Sequence, residues 1–101
     1  MTTRITQRDL ESTVARINRL TDSPMEYAKP FSKDVPFCSN VGNYHIDQAY
    51  GGVQLVRIVN TGGGISNVLG CGHVTKRELY ERMHAFILGI ESTREWLWEN
   101  I

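Results

Sequence analysis

The chain has no excess of either charge, few cysteines and no long apolar run, and each of these absences excludes a class of function. Lys and Arg together number 11, as do Asp and Glu, so the formal net charge is zero. A general nucleic-acid binder is usually basic, which leaves only a local patch for such a role. Two cysteines, Cys38 and Cys71, are too few for a disulfide framework. With His45 and His73 they lack the paired ligand spacing of a structural zinc site, so no metal and no cofactor are expected. Asp47 is the only acid of the strand-like region, and nothing in the spacing orients a cysteine toward a histidine. No catalytic residue is therefore assigned, and a non-enzymatic protein is expected. No apolar run approaches the roughly 18 residues of a membrane span, and MTTRITQRDL has no signal-type core. A cytoplasmic chain that makes no use of a membrane follows as the expectation.

What is present has a clear order. Leu10, Val14, Ile17 and Leu20 recur at helical spacing, with Thr6 as N-cap and Asp9 at the positive end of the dipole. This predicts a helix over 6–20. All three prolines, Pro24, Pro30 and Pro36, fall in 22–41, which reads as an irregular arm whose Tyr27, Phe31, Val35 and Phe37 pack over a core. Residues 42–69 read as three strands. NYHIDQAY alternates, YGG makes a tight turn, and VQLVRIVN is apolar on both faces, as a covered central strand should be. Arg57 falls on the face of Leu55 and Val59. ISNVL reads as the third strand.

The second helix, 75–91, opens with the pattern Thr75-x-x-Glu78 of a capping box, with Val74 and Leu79 as a hydrophobic staple. Leu79, Met83, Phe86, Ile87 and Ile90 form its apolar stripe. Ser92-x-x-Glu95 repeats the capping pattern, and an unbroken helix over 75–100 would run about 39 Å. Either the helix breaks near Glu91 into a short third helix, or the helical tail over 92–101 projects and buries Trp96, Leu97, Trp98 and Ile101 against another subunit of a homo-oligomer. The whole is a single α+β domain over residues 1–101: helix, three-stranded antiparallel sheet, helix, and a C-terminal helical tail.

Two glycine clusters carry the functional expectation. Gly62, Gly63 and Gly64 are more glycine than a turn between two strands requires, and surplus glycine often marks close approach to the backbone. Arg57, Asn60 and Thr61 precede them. Gly70 and Gly72 lead into Thr75, Lys76 and Arg77, where free N–H groups at a helix start attract anions. The sequence matches neither the dinucleotide fingerprint nor a Walker motif. These residues compose the candidate site for a small anionic, nucleotide-like ligand. The alternative is binding of a host protein or nucleic acid through the surface, using the arm and the tail.

GNYHIDQAYGGVQLVRIVNTGGGISNV followed by GHVTKRELYERMHAFILGI resembles a group of small accessory proteins of tailed phages and prophages. The resemblance covers roughly residues 8–91, through the YGG, NTGGG and KRELY blocks. It implies a phage accessory role in the host cytoplasm, such as countering a host defence by blocking a protein or sequestering a nucleotide, and it transfers no catalytic residue. The element order is also similar to that of double-stranded RNA-binding domains. The chain departs from them in having only Lys76 and Arg77 as the basic cluster and a proline-rich arm before the sheet.

Overall fold

The computed structural model describes residues 4–26, 28 and 39–99, with side chains as far as Arg94. Five elements follow one another: α1 (Gln7–Leu20), β1 (Tyr44–Ala49), β2 (Gly52–Ile58), β3 (Ile65–Asn67) and α2 (Lys76–Glu99). The strands form one antiparallel sheet in the order β1-β2-β3. This is the expected α+β architecture.

α1 starts where Thr6 and Asp9 close a full capping box. The Asp9 amide donates to Thr6 Oγ1 at 3.2 Å, and the Thr6 amide donates to Asp9 Oδ2 at 2.8 Å. These bonds hold the Asp9 carboxyl below its ordinary range, the Thr6 backbone bond contributing most. α1 and α2 lie on one face of the sheet and run in the same direction. Arg16 meets Glu91 at 2.7 Å, and Arg94 donates to the Leu20 carbonyl. Leu10, Val14 and Ile17 of α1, Leu79, Met83 and Ile87 of α2, and Tyr44, Val53 and Leu55 of the sheet make the core. Each such side chain contributes about 1.5–3 kcal/mol by leaving water. Val56 and Ile58 point to the opposite face and are also buried, so β2 is covered on both sides.

Arg57 departs from the expected apolar setting. It is exposed, and its guanidinium carbon sits 5.5 Å from the centre of the Tyr44 ring across the β1–β2 pair. The third strand is shorter than ISNVL, although the Val68 amide still donates to Leu55 at 3.2 Å.

Of the two expected courses of the tail, the break near Glu91 does not occur: α2 is continuous through Glu99. The reason is packing. Glu91 and Arg94 are tied to α1 on either side of Ser92, and Thr93 donates to the Gly89 carbonyl at 2.9 Å, so no residue leaves helical geometry to act as a cap. Trp96, Leu97 and Trp98 lie on the last turns of α2, and their side chains fall outside the described residues, as does Ile101. The aromatic residues of the arm at 27, 31 and 37 and the thiol Cys38 also lie outside them. Among the described residues no helix is long and apolar enough to cross a membrane.

Candidate functional site

The NTGGG loop is closed by its own atoms. The Asn60 side-chain oxygen accepts from the Gly64 amide at 2.9 Å, and its carbonyl accepts from Gly63 at 3.1 Å. A Cβ on Gly64 would stand 2.3 Å from Asn60 Nδ2, and one on Gly63 would stand 3.1 Å from Ser39 Oγ. Gly63 also has φ +92°, which disfavours any side chain. Thr61 is exposed, and its carbonyl accepts from the Ser39 amide at 3.0 Å. The close approach that surplus glycine signals is therefore made by Asn60 and Ser39 of the same chain. Gly62 has only ordinary contact with Asn60, and nothing in the structure requires glycine there.

The second cluster does different work. Gly70 and Gly72 have φ of +68° and +69°, with open space where a Cβ would be, so they are turn residues. They bring Val74 beside β2, where Val53 and Val74 exchange two bonds of 2.8 Å. This pairing explains the last glycine of YGG: a Cβ on Gly52 would meet the backbone of His73 and Val74 at 3.0–3.1 Å. Thr75 Oγ1 then accepts from the Glu78 amide at 3.1 Å, while the Glu78 carboxylate faces Arg82, so only the first half of the capping box forms. Lys76 and Arg77 follow on the exposed first turn of α2.

The two clusters do not meet. Gly64 pairs with Val59 at one end of β2 and Val74 pairs with Val53 at the other. Six residues of extended chain separate them by about 20 Å. Arg57, Asn60, Thr61 and Gly62–Gly64 thus lie at one end of the sheet, and Gly70, Gly72, Thr75, Lys76 and Arg77 at the other. A single small ligand held by both loops is not compatible with this geometry.

The structure brings together a different polar group. His73 Nε2 lies 2.9 Å from Asp47 Oδ2, and Gln54 donates to the same oxygen at 3.1 Å. Bonds from Gln54 first, and from His73, hold the Asp47 carboxyl below its ordinary range. An ionised carboxylate only accepts, so Nε2 carries the proton. The His73 ring in turn meets the edge of Tyr50 at 5.5 Å. Tyr50 and Gly51 both have positive φ, 54° and 73°, as a two-residue type I′ turn demands. Tyrosine is a poor fit there, and this one is 96% exposed. His45 lies on the same face as Asp47; burial pushes its pKa down, opposed by the Asp47 charge. Cys71, to which the sequence assigns no catalytic or metal role, donates its thiol to the Gly72 carbonyl at 3.6 Å. Among the described residues no three metal-ligating side chains cluster.

The feature that sequence reasoning missed is the outer edge of β1. Hydrogen-bonded pairs in the β1–β2 ladder fall on alternate residues, beginning with the Ile58 amide donating to Asn43. Tyr44, Ile46 and Gln48 therefore direct their N–H and C=O groups away from β2. At Tyr44 both groups are taken by Asn18 of α1, through bonds of 2.9 and 3.0 Å from a side chain that is 2% exposed. At Ile46 and Gln48 no described residue bonds them. Beside this edge runs a groove of about 420 Å³ between α1 and β1, whose lining includes the apolar Val14, Ala15, Met25 and Ile46 and the acidic Glu11 and Glu26.

The chain matches no protein-family model, no curated protein and no solved structure. Its site is therefore read from its own geometry.

Proposed function

We propose that this is a non-enzymatic binding protein that takes up an extended polypeptide segment along β1, as an added strand of its sheet. One observation carries the reading: two consecutive outward-facing rungs, at Ile46 and Gln48, have no bonding partner among the described residues and lie beside a largely apolar groove. Main-chain bonds supply affinity in such a mode and the groove supplies selectivity. Four edge bonds at a net 0.5–1.5 kcal/mol each give roughly 2–6 kcal/mol, and side chains entering the groove add to this. A small-anion role at the glycine loops has less support, because Asn60 fills the space over Gly64 and the second loop is about 20 Å away. Binding through the surface is the reading that remains. The resemblance to tailed-phage accessory proteins makes a host protein the expected partner.

The test is selection of short random peptides on the purified protein, followed by titration of the isotope-labelled protein with those selected. The amides of Ile46 and Gln48 should move first. Gln48→Pro removes one outward N–H at an exposed edge position, where proline is tolerated, and should abolish binding while the fold persists. Selected peptides that perturb other residues and leave these amides in place would refute the proposal.

A further inference from the structure

We infer that the segment taken up along β1 is basic, with an apolar side chain opposite Ile46 and lysine or arginine on the same face. This rests on the strand-addition reading and specifies its partner. A strand paired with β1 alternates its side chains, so those opposite Ile46 and Gln48 face α1 and those opposite His45 and Asp47 face the other way. On the α1 side, the position opposite Ile46 meets Val14 and Ala15, which suits an apolar group of moderate size. Among the described residues, the formal charges lining the groove are the carboxylates of Glu11 and Glu26. Both residues are exposed, and among the described residues neither is in an ion pair. The groove therefore concentrates two negative charges on a chain whose net charge is zero. An acidic segment would place its carboxylates against these two, and a basic one would pair with them. Long basic side chains also suit the site, because their stems can lie along the apolar floor while the charged ends reach the rim. His45 adds no opposing charge near neutral pH, since burial favours its neutral ring.

The experiment is the same peptide selection, run in parallel on the wild-type protein and on the double variant Glu11→Lys, Glu26→Lys. Peptides selected on wild type should be enriched in lysine and arginine at alternate positions around an apolar residue. The double variant should bind them about tenfold more weakly, and its own selection should turn acidic. Added salt should erase most of the difference. Both substitutions are on exposed side chains, and the amide spectrum of the variant reports that the fold is kept. Peptides that shift the Ile46 and Gln48 amides without basic enrichment, or that bind both proteins equally, would overturn this inference and leave strand addition standing. Peptides that leave those two amides unmoved would overturn both.

Discussion

Asn18 is the residue whose replacement tests the edge geometry most directly. Its side-chain amide supplies one acceptor to the Tyr44 N–H and one donor to the Tyr44 carbonyl, and all of these groups are buried. Leucine has similar volume and fills the same space without either bond. Asn18→Leu thus leaves two buried backbone groups unsatisfied, at about 1–3 kcal/mol each, so a loss of roughly 2–5 kcal/mol is expected. Against a typical total of about 5–15 kcal/mol this is a large fraction. In urea, with a slope of about 1.5 kcal/mol/M, the midpoint should fall by roughly 1.5–3 M. Asn18→Asp adds a pH signature. One carboxylate oxygen can still accept from the Tyr44 N–H, but the other faces the Tyr44 carbonyl unless it is protonated. The folded state therefore raises the pKa of the new carboxyl above its unfolded value. Stability tied to the protonated form is present at low pH and is lost as pH rises through the raised pKa, so the deficit relative to wild type should shrink between pH 7 and pH 4. A leucine variant that loses less than about 1 kcal/mol, or an aspartate variant whose deficit ignores pH, would refute the bidentate closure of this rung.

Substitutions at the glycines should separate three physical causes in chemical denaturation. Gly63→Ala strains a backbone at φ +92° by about 1–2 kcal/mol. Gly64→Ala displaces the Asn60 side chain and costs about one hydrogen bond, so Asn60→Ala combined with it should add little further. Gly52→Ala should be the costliest of the three, because its contacts are backbone atoms of His73 and Val74 that cannot rotate away. Tyr50→Asn should raise stability by about 0.5–1 kcal/mol, since asparagine suits the positive φ of a type I′ turn and, among the described residues, the exposed ring has a ring contact with His73 alone to lose. Wild-type stability should fall as pH drops below about 6.5, where the unfolded histidine binds a proton that the folded His45 resists, and His45→Gln should flatten that window in thermal melts. The depressed Asp47 carboxyl acts in the same direction at lower pH, its contribution being lost as pH falls through the folded value.

The parts of the fold that were legible in the sequence are those set by local periodicity. The stripe Leu10, Val14, Ile17 and the pair Thr6 and Asp9 fixed α1, and the double-sided apolar pattern of VQLVRIV fixed β2 as the covered central strand. The end of α2 was not legible, because Ser92-x-x-Glu95 is a valid local cap overruled by distant contacts from Arg16 and Leu20. The surplus glycine of the NTGGG loop signalled close approach, whereas Gly70 and Gly72 answer only to turns, and sequence alone does not say what approaches. In the NTGGG loop it is Asn60, four residues before Gly64, and at Gly52 it is a segment more than twenty residues away. The open edge carried no residue-type signal at all. It depends on which rungs of β1 face outward and on a buried asparagine in α1. A polar Asn18 one residue after the apolar Ile17 was the one available hint, because a polar residue among helix core positions needs a partner.

Unpaired sheet edges invite association with any extended chain, and proteins ordinarily close them. On the side away from β1, the central strand β2 meets Gly64, Ser66, Val68 and Val74 in succession. On β1 a buried side chain is committed to the rung at Tyr44. Among the described residues nothing bonds the two rungs beyond it, and the groove beside them carries two acidic side chains without ion-pair partners. Those charges discriminate. If two copies paired β1 against β1, the acidic groove of each would lie beside the paired edge, and like charges brought near one another repel. A basic segment meets the same carboxylates favourably. On the strand-addition reading, the two carboxylates would therefore disfavour self-pairing and favour a partner of opposite charge, which is what selective strand addition requires.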